Sequence, residues 1–182
     1  MVNKIKNVLV LSGSPRKGGN SDLLCDQFIK GAKEAGHNVE KIRVCEKEIA
    51  PCLGCYYCQT HKDRCAIKDD MPAIVDKIMA ADVLVLASPV YFYSINAQLK
   101  AVIDRCVRSW ERIANKEFYY IMTAGEDAKH TMDTTLACFR GFADCLEGSQ
   151  ERGVLYGKGA YEKGAVQVLP VYQEAYQMGK GV

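Results

Sequence analysis

The chain has 182 residues, and its 24 lysines and arginines nearly balance 22 aspartates and glutamates, which gives a formal charge of +2. This length favours one domain, and the scattered basic residues argue against nucleic acid as a partner. No apolar run approaches the roughly 20 residues that span a bilayer, and no signal-peptide pattern precedes the first predicted strand, so we expect a cytoplasmic protein without a membrane partner.

The first half of the chain alternates predicted strands and helices. Residues 7–11 form a continuous apolar run, which is typical of a central parallel strand that is covered on both faces. Apolar side chains recur at helical spacing over 23–32, and residues 39–44 then alternate as a strand does. A cysteine-rich loop at about 50–68 precedes a helix over 69–79, which has a carboxylate and a proline in its first turn.

The second half repeats this alternation. A third apolar run predicts a strand, and an apolar stripe at helical spacing follows it. The expected elements are a strand at 83–87, a helix at 99–106, a strand at 118–122, a helix at about 128–146, a strand at 153–156 and a closing helix at 171–179. Strands that alternate with helices imply right-handed crossovers, and we therefore expect an α/β fold with a doubly wound, five-stranded parallel sheet.

A serine- and glycine-rich loop follows the first predicted strand, at the turn where such sheets bind phosphate. Its glycines let backbone N–H groups converge, and the next helix adds the partial positive charge of its amino terminus. Because the loop lacks both G-x-x-x-x-G-K-S/T and G-x-G-x-x-G, it favours the phosphate of FMN over a triphosphate or a dinucleotide. A simple connecting loop is the alternative. The candidate phosphate-binding residues are Ser12, Ser14, Arg16, Asn20 and Ser21.

The end of the third predicted strand carries a proline followed by aromatic residues. In the flavodoxin-like strand order 2-1-3-4-5, the chain reverses direction between strands one and three, and a crevice opens at their carboxyl ends. A rigid, partly aromatic wall at that crevice suits the flat isoalloxazine ring of a flavin. The candidate flavin-bordering residues are Pro89, Val90, Tyr91 and Phe92.

Four of the nine cysteines follow the pattern C-x2-C-x2-C-x6-C. Nine is a high number for a reducing compartment, which indicates metal binding or redox chemistry. The first three have the spacing of bacterial ferredoxins, and a nearby fourth thiol favours one self-contained iron-sulfur cluster. There are two alternatives. One is zinc, which usually binds two C-x2-4-C pairs across a longer loop, and the other is reduced thiols without metal. The candidate ligands are Cys52, Cys55, Cys58 and Cys65.

Three motifs, S-G-S-P-R-K-G-G-N-S, S-P-V-Y-F and Q-L-K-A-V-I-D-R, resemble those of the NADPH-dependent FMN reductase family in order and spacing. The resemblance covers nearly the whole chain, and C-L-G-C-Y-Y-C with Cys65 looks like the iron-sulfur flavoprotein branch. It implies a single flavodoxin-like FMN-binding domain over 1–182, a [4Fe-4S] cluster and a homodimer or homotetramer. It also implies that Thr123, Ala124 and Gly125 border the flavin.

The expected function is electron transfer between a reduced carrier such as ferredoxin, a [4Fe-4S] cluster and FMN by a flavin-dependent oxidoreductase. One alternative is an NAD(P)H-dependent FMN or quinone reductase without a cluster. A second is a flavodoxin-like electron carrier or flavin-binding module, which the near-balanced charge disfavours.

Overall fold

The computed structural model describes residues 4–61 and 64–182, so two residues of the predicted cysteine-rich loop lie outside the described part. Five parallel strands form one sheet in the order β2-β1-β3-β4-β5, which confirms the predicted flavodoxin-like fold. The strands are β1 (Asn7–Ser12), β2 (Asn38–Arg43), β3 (Val83–Pro89), β4 (Glu117–Thr123) and β5 (Gln150–Gly157).

Helices cover both faces of this sheet. The helices are α1 (Asn20–Glu34), α2 (Tyr57–Thr60), α3 (Met71–Ala80), α4 (Ala97–Arg105), α5 (Asp133–Asp144) and α6 (Pro170–Lys180). One core cluster joins α3, α4 and α5 to the sheet, and a second joins α1 and α6 to its other face. The central strand β3 is buried along its whole length, as its continuous apolar run predicts.

Two elements differ from the sequence-based expectation. The predicted helix at 128–146 begins as a separate 3-10 turn, Lys129–Met132, before α5. Thr131 explains this difference, because its hydroxyl donates to the Ala128 carbonyl at 2.8 Å and so offers the backbone a tight turn in place of a helix. In addition, the short helix α2 lies inside the cysteine-rich loop. In the described part of the chain, no helix combines the length and apolar character that crossing a membrane requires.

Candidate FMN cleft and cysteine loop

The loop between β1 and α1 is organised by the buried carboxylate of Asp22, in the first turn of α1. Its Oδ2 accepts from the Gly18 N–H at 2.9 Å, and its Oδ1 accepts from the Ser12 hydroxyl at 3.1 Å. Gly18 has a φ of +65°, a conformation that side-chain-bearing residues rarely adopt. Asp22 therefore holds this turn of the loop against the end of β1.

Two cations from β2 neutralise Asp22. Lys41 Nζ lies 2.6 Å and Arg43 Nε 3.6 Å from its Oδ1. Burial opposes the charged carboxylate, but the hydrogen bonds from Lys41 and from the Gly18 N–H outweigh it and hold the pKa of Asp22 below its usual value. The carboxylate beneath the loop is thus ionised at neutral pH, and its charge is compensated from the neighbouring strand.

The other side of the loop rests on the start of α4. The Asn96 side chain donates to the Gly13 carbonyl at 2.5 Å, and the Asn96 N–H donates to Ser88 Oγ at 2.9 Å. A Cβ on Gly13 would lie 2.4 Å from Asn96 Oδ1, so only glycine permits this close approach. The ends of β1 and β3 and the start of α4 are therefore joined at one point.

A cleft of about 340 Å³ opens beside this loop at the carboxyl ends of the strands. It is lined by Ser14, Arg16, Gly19, Asn20, Ser21, Pro89, Val90, Tyr91, Thr123, Gly125, Ala160, Tyr161 and Glu162. The structure thus gathers residues from three of the predicted segments around one space. The segment 160–162 after β5 also lines the cleft, although it is not among the residues that the sequence predicts for this site.

Ser21 supplies the sharpest test of whether this cleft fits a phosphate. Its side chain is buried, and its Oγ has no hydrogen-bond partner among residues 4–61 and 64–182. It lies in the first turn of α1, where backbone N–H groups also lack intrahelical partners. A phosphate monoester at this helix terminus would satisfy both, and Arg16 in the cleft lining adds a cation. The residues present therefore fit the phosphate of FMN.

Not every predicted cofactor residue lines the cleft through its side chain. Asn20 donates to the carbonyls of Ala160 and Glu162, and its Oδ1 accepts from the Gly164 N–H, so its amide anchors the segment after β5. The Ser12 hydroxyl is bonded to Asp22. Two predicted residues, Phe92 and Ala124, do not line the cleft. The Phe92 side chain is fully exposed to solvent. The Ala124 backbone is hydrogen-bonded to the chain at and after the end of β5.

The aromatic segment at the cleft mouth forms a tight turn. Tyr91 and Ser94 exchange two backbone hydrogen bonds of 3.0 Å, and both central residues have positive φ, +49° at Phe92 and +62° at Tyr93. Such turns favour asparagine and glycine, so two aromatic residues here carry a conformational cost. The turn presents three exposed aromatic side chains beside the cleft.

The four predicted cluster ligands lie on the segment that leads from β2 to α3. Cys52 and Cys55 are exposed, Cys58 and Cys65 are partly buried, and none is in a disulfide. Within the described residues, no three histidine, cysteine or carboxylate side chains are placed to hold a metal ion. The chemistry of the donor set does fit an iron-sulfur cluster, because four free thiols share one loop and none of them is needed in the core.

A serine- and glycine-rich loop at a helix amino terminus, beside a cleft at the reversal point of a 2-1-3-4-5 sheet, is the arrangement in which flavodoxin binds FMN. The family model described as NADPH-dependent FMN reductase matches residues 6–148. This chain belongs to that family. Among solved structures, the NAD(P)H:quinone oxidoreductase from Methanothermobacter marburgensis superposes with a TM-score of 0.74 at 16% identity, covering 98% of this chain and 96% of that one, and this likeness concerns the fold.

Six curated relatives carry the name iron-sulfur flavoprotein. One from Methanocaldococcus jannaschii is 42% identical over 98 residues, or 54% of this chain and 50% of the relative. That of Methanosarcina thermophila is 42% identical over 97 residues, or 53% of this chain and 50% of the relative. The chain therefore spans about half the length of the curated relatives it matches.

Proposed function

We propose that this protein binds FMN in the cleft beside the β1–α1 loop, within one flavodoxin-like domain. The observation that carries the proposal is the Ser21 hydroxyl, which is buried at the amino terminus of α1 without a partner among the described residues, in a cleft that Arg16 also lines. Pro89, Val90 and Tyr91 form the wall that borders the flavin ring, and Thr123 and Gly125 border its opposite edge. Family membership supports the identity of the cofactor.

The same proposal assigns a [4Fe-4S] cluster to Cys52, Cys55, Cys58 and Cys65. Its support is the C-x2-C-x2-C-x6-C spacing together with the names of the curated relatives. Bound FMN accepts hydride or single electrons, whereas a cluster passes one electron at a time. The chain's own task is to hold both groups, with electrons supplied by a reduced carrier such as ferredoxin.

Anaerobic purification with analysis of flavin, iron, sulfide and zinc tests both assignments. We expect near-stoichiometric FMN and about four irons and four sulfides per chain. FMN without iron would disprove the cluster, and zinc in place of iron would make the loop a structural zinc site. A protein that binds FMN but turns over with no donor and acceptor pair would instead be a carrier or a flavin-binding module.

An NAD(P)H-dependent FMN or quinone reductase without a cluster is the second candidate function. The match to a family described as NADPH-dependent FMN reductase favours it. Stopped-flow mixing with NAD(P)H distinguishes the two, since a reductase bleaches its bound flavin directly with this donor. Under our proposal, bleaching by a reduced ferredoxin-type carrier is the faster reaction.

Replacing Ser21 by alanine is expected to weaken FMN binding about tenfold or more, because a hydrogen bond to a charged group is worth about 1.5–3 kcal/mol. The free energy of unfolding of the FMN-free protein should not fall, since the hydroxyl has no partner among the described residues. Fluorescence titration with FMN and denaturant unfolding measure the two quantities.

Ser149→Ala is the matched control for this prediction. Its Oγ is also buried without a partner in the described part of the chain, but it lies just before β5, at the other end of the sheet from the cleft. This variant should leave FMN affinity unchanged. Equal affinities of the two variants would contradict the placement of the phosphate.

We also propose a homodimer or homotetramer. Tyr91, Phe92 and Tyr93 are exposed at the cleft mouth in a conformation that costs free energy, and a neighbouring copy would bury them. Light scattering of Phe92→Ser should then show a smaller species than the unaltered protein. A protein that is already monomeric would disprove this part of the proposal.

A further inference from the structure

The two ends of the cysteine loop meet at one buried arginine. Arg105, the last residue of α4, has a side chain only 2% exposed, and its Nη1 donates to the Ala50 carbonyl at 2.8 Å. Its guanidinium also forms a bidentate pair with the Asp69 carboxylate, at 2.8 and 3.0 Å. Arg105 therefore contacts the chain just before Cys52 and just after Cys65.

Asp69 completes this closure through the backbone. Its Oδ2 accepts from the Ala50 N–H at 3.0 Å, and its Oδ1 accepts from the Met71 N–H at 3.1 Å. Its side chain is only 6% exposed. Further from the loop, the Glu48 N–H donates to the Asp70 carboxylate at 2.9 Å, and the Asp70 N–H donates to the Glu48 carbonyl at 3.0 Å. These hydrogen bonds hold the two ends of the cysteine-rich loop together at its base.

Arg105 also has one donor that its described neighbours leave unused. Its Nε is buried and makes no hydrogen bond to any residue that the structure describes. Burial works to lower the pKa of this guanidinium, but the hydrogen bonds and charge of Asp69 hold it above its usual value. A buried cationic N–H therefore lies at the base of the cysteine-rich loop without a partner in the described part of the chain.

The opposite end of α4 lies at the loop between β1 and α1. Asn96, immediately before the helix, bonds to the Gly13 carbonyl, and Arg105 closes the cysteine loop nine residues later. At 1.5 Å per residue, about 14 Å of helix separates the two contacts. Residues 107–112, which follow the helix, line one cleft of about 330 Å³ together with Cys58.

We infer that Arg105 and Asp69 are positioning residues that clamp the base of the cysteine-rich loop, hold it at a set distance from the loop between β1 and α1 through α4, and leave a buried, positively charged N–H available to a group that the cysteine-rich loop binds. The part of this inference that concerns a cluster rests on the proposed function. The clamp itself concerns residues of the metal-free chain. Hydrogen bonds from residues behind the ligands orient those ligands and set the potential of a metal centre.

Arg105→Met and Arg105→Lys separate the two roles. In metal-free protein, hydrogen exchange measured by mass spectrometry should become about tenfold or more faster over 51–68 in Arg105→Met, because both loop ends lose their shared partner. In iron-loaded protein, a redox titration should give a lower midpoint potential for Arg105→Met, since a cation near the sulfurs favours the reduced cluster. Arg105→Lys keeps the positive charge but cannot form the bidentate pair with Asp69. Its midpoint potential should therefore be close to that of the unaltered protein, whereas its hydrogen exchange over 51–68 should be nearly as fast as in Arg105→Met.

Arg140→Met is the matched control, because Arg140 forms a bidentate pair with Glu151 at the surface, far along the chain from the cysteine loop. It should change neither readout. If Arg105→Met does not fold, Asp69→Asn should show the same local exchange increase. If the unaltered protein contains no iron, the proposed cluster is refuted. The hydrogen-exchange experiment on metal-free protein still tests the clamp in that case. Iron-loaded Arg105 variants with unchanged exchange and potential would overturn the inference alone.

Discussion

Replacing Cys55 by serine is expected to remove iron from the protein while FMN remains bound. A [4Fe-4S] cluster is held by cysteine thiolates, and a serine hydroxyl is a much poorer ligand for it. Cys55 is exposed on the loop, between Gly54 and Tyr56, which both have positive φ, and belongs to neither core cluster. Its loss should therefore cost the metal-free fold less than about 0.5 kcal/mol. Iron should fall from about four per chain to below one.

The measurement is iron and sulfide analysis after anaerobic purification, with the flavin released and quantified from the same sample. Cys145→Ser is the control, because Cys145 is also exposed but follows α5, outside the cysteine loop. It should retain iron and FMN. A Cys55→Ser protein with its full iron content would refute the ligand assignment. Loss of FMN together with iron would show that the loop and the flavin cleft are not independent sites.

The sheet could be predicted from the sequence because its central strands carry a local signal. The apolar runs of β1 and β3 are continuous, and the serine- and glycine-rich loop follows β1 directly, so pattern and position agree without knowledge of distant contacts. The strand order then places the ends of β1 and β3 together. Most of the cleft follows from these two facts.

The hydrogen-bond partners could not be predicted in the same way. Asn20 has the residue type and position of a phosphate ligand, yet its amide bonds to a segment about 140 residues away. Asp22 looks like an ordinary acidic residue in the first turn of a helix, and its role depends on Lys41 and Arg43 from β2. The sequence does hold a weak indication of this role, because Lys41 and Arg43 are two residues apart in β2 and therefore lie on the same face of the strand. Only the strand order reveals what that face meets.

Replacing Asp22 by alanine is expected to have the largest effect on the fold and on FMN binding together. The change leaves Lys41 and Arg43 partly buried without their shared carboxylate, and removing one partner of a buried pair costs about 3–5 kcal/mol. Lys41 keeps its contact with Asp26, so we expect the lower end, about 3 kcal/mol. At about 2–4 °C per kcal/mol, the melting temperature should fall by about 6–12 °C.

Asp26→Asn controls for the loss of a carboxylate beside the same lysine. The Asp26 side chain is 55% exposed, whereas that of Asp22 is 4% exposed, so its pair with Lys41 should be worth less than about 1 kcal/mol. It should leave FMN affinity unchanged. If Asp22→Ala and Asp26→Asn melt at the same temperature, Asp22 is not the residue that holds the loop.

The effect of Asp22 on FMN binding has two opposing parts, and a second substitution resolves them. The carboxylate anchors the loop through the Gly18 N–H, but its negative charge also lies beneath a site proposed for a phosphate. Asp22→Asn keeps an oxygen for Gly18 and removes the charge, so its FMN dissociation constant should stay within about threefold of the unaltered protein, because the remaining cations offset any loosening. Asp22→Ala loses the anchor and should bind FMN at least about tenfold more weakly. Equal weakening by both would mean that the pairing of the carboxylate with Lys41 and Arg43, and not its hydrogen bond to Gly18, holds the site in shape.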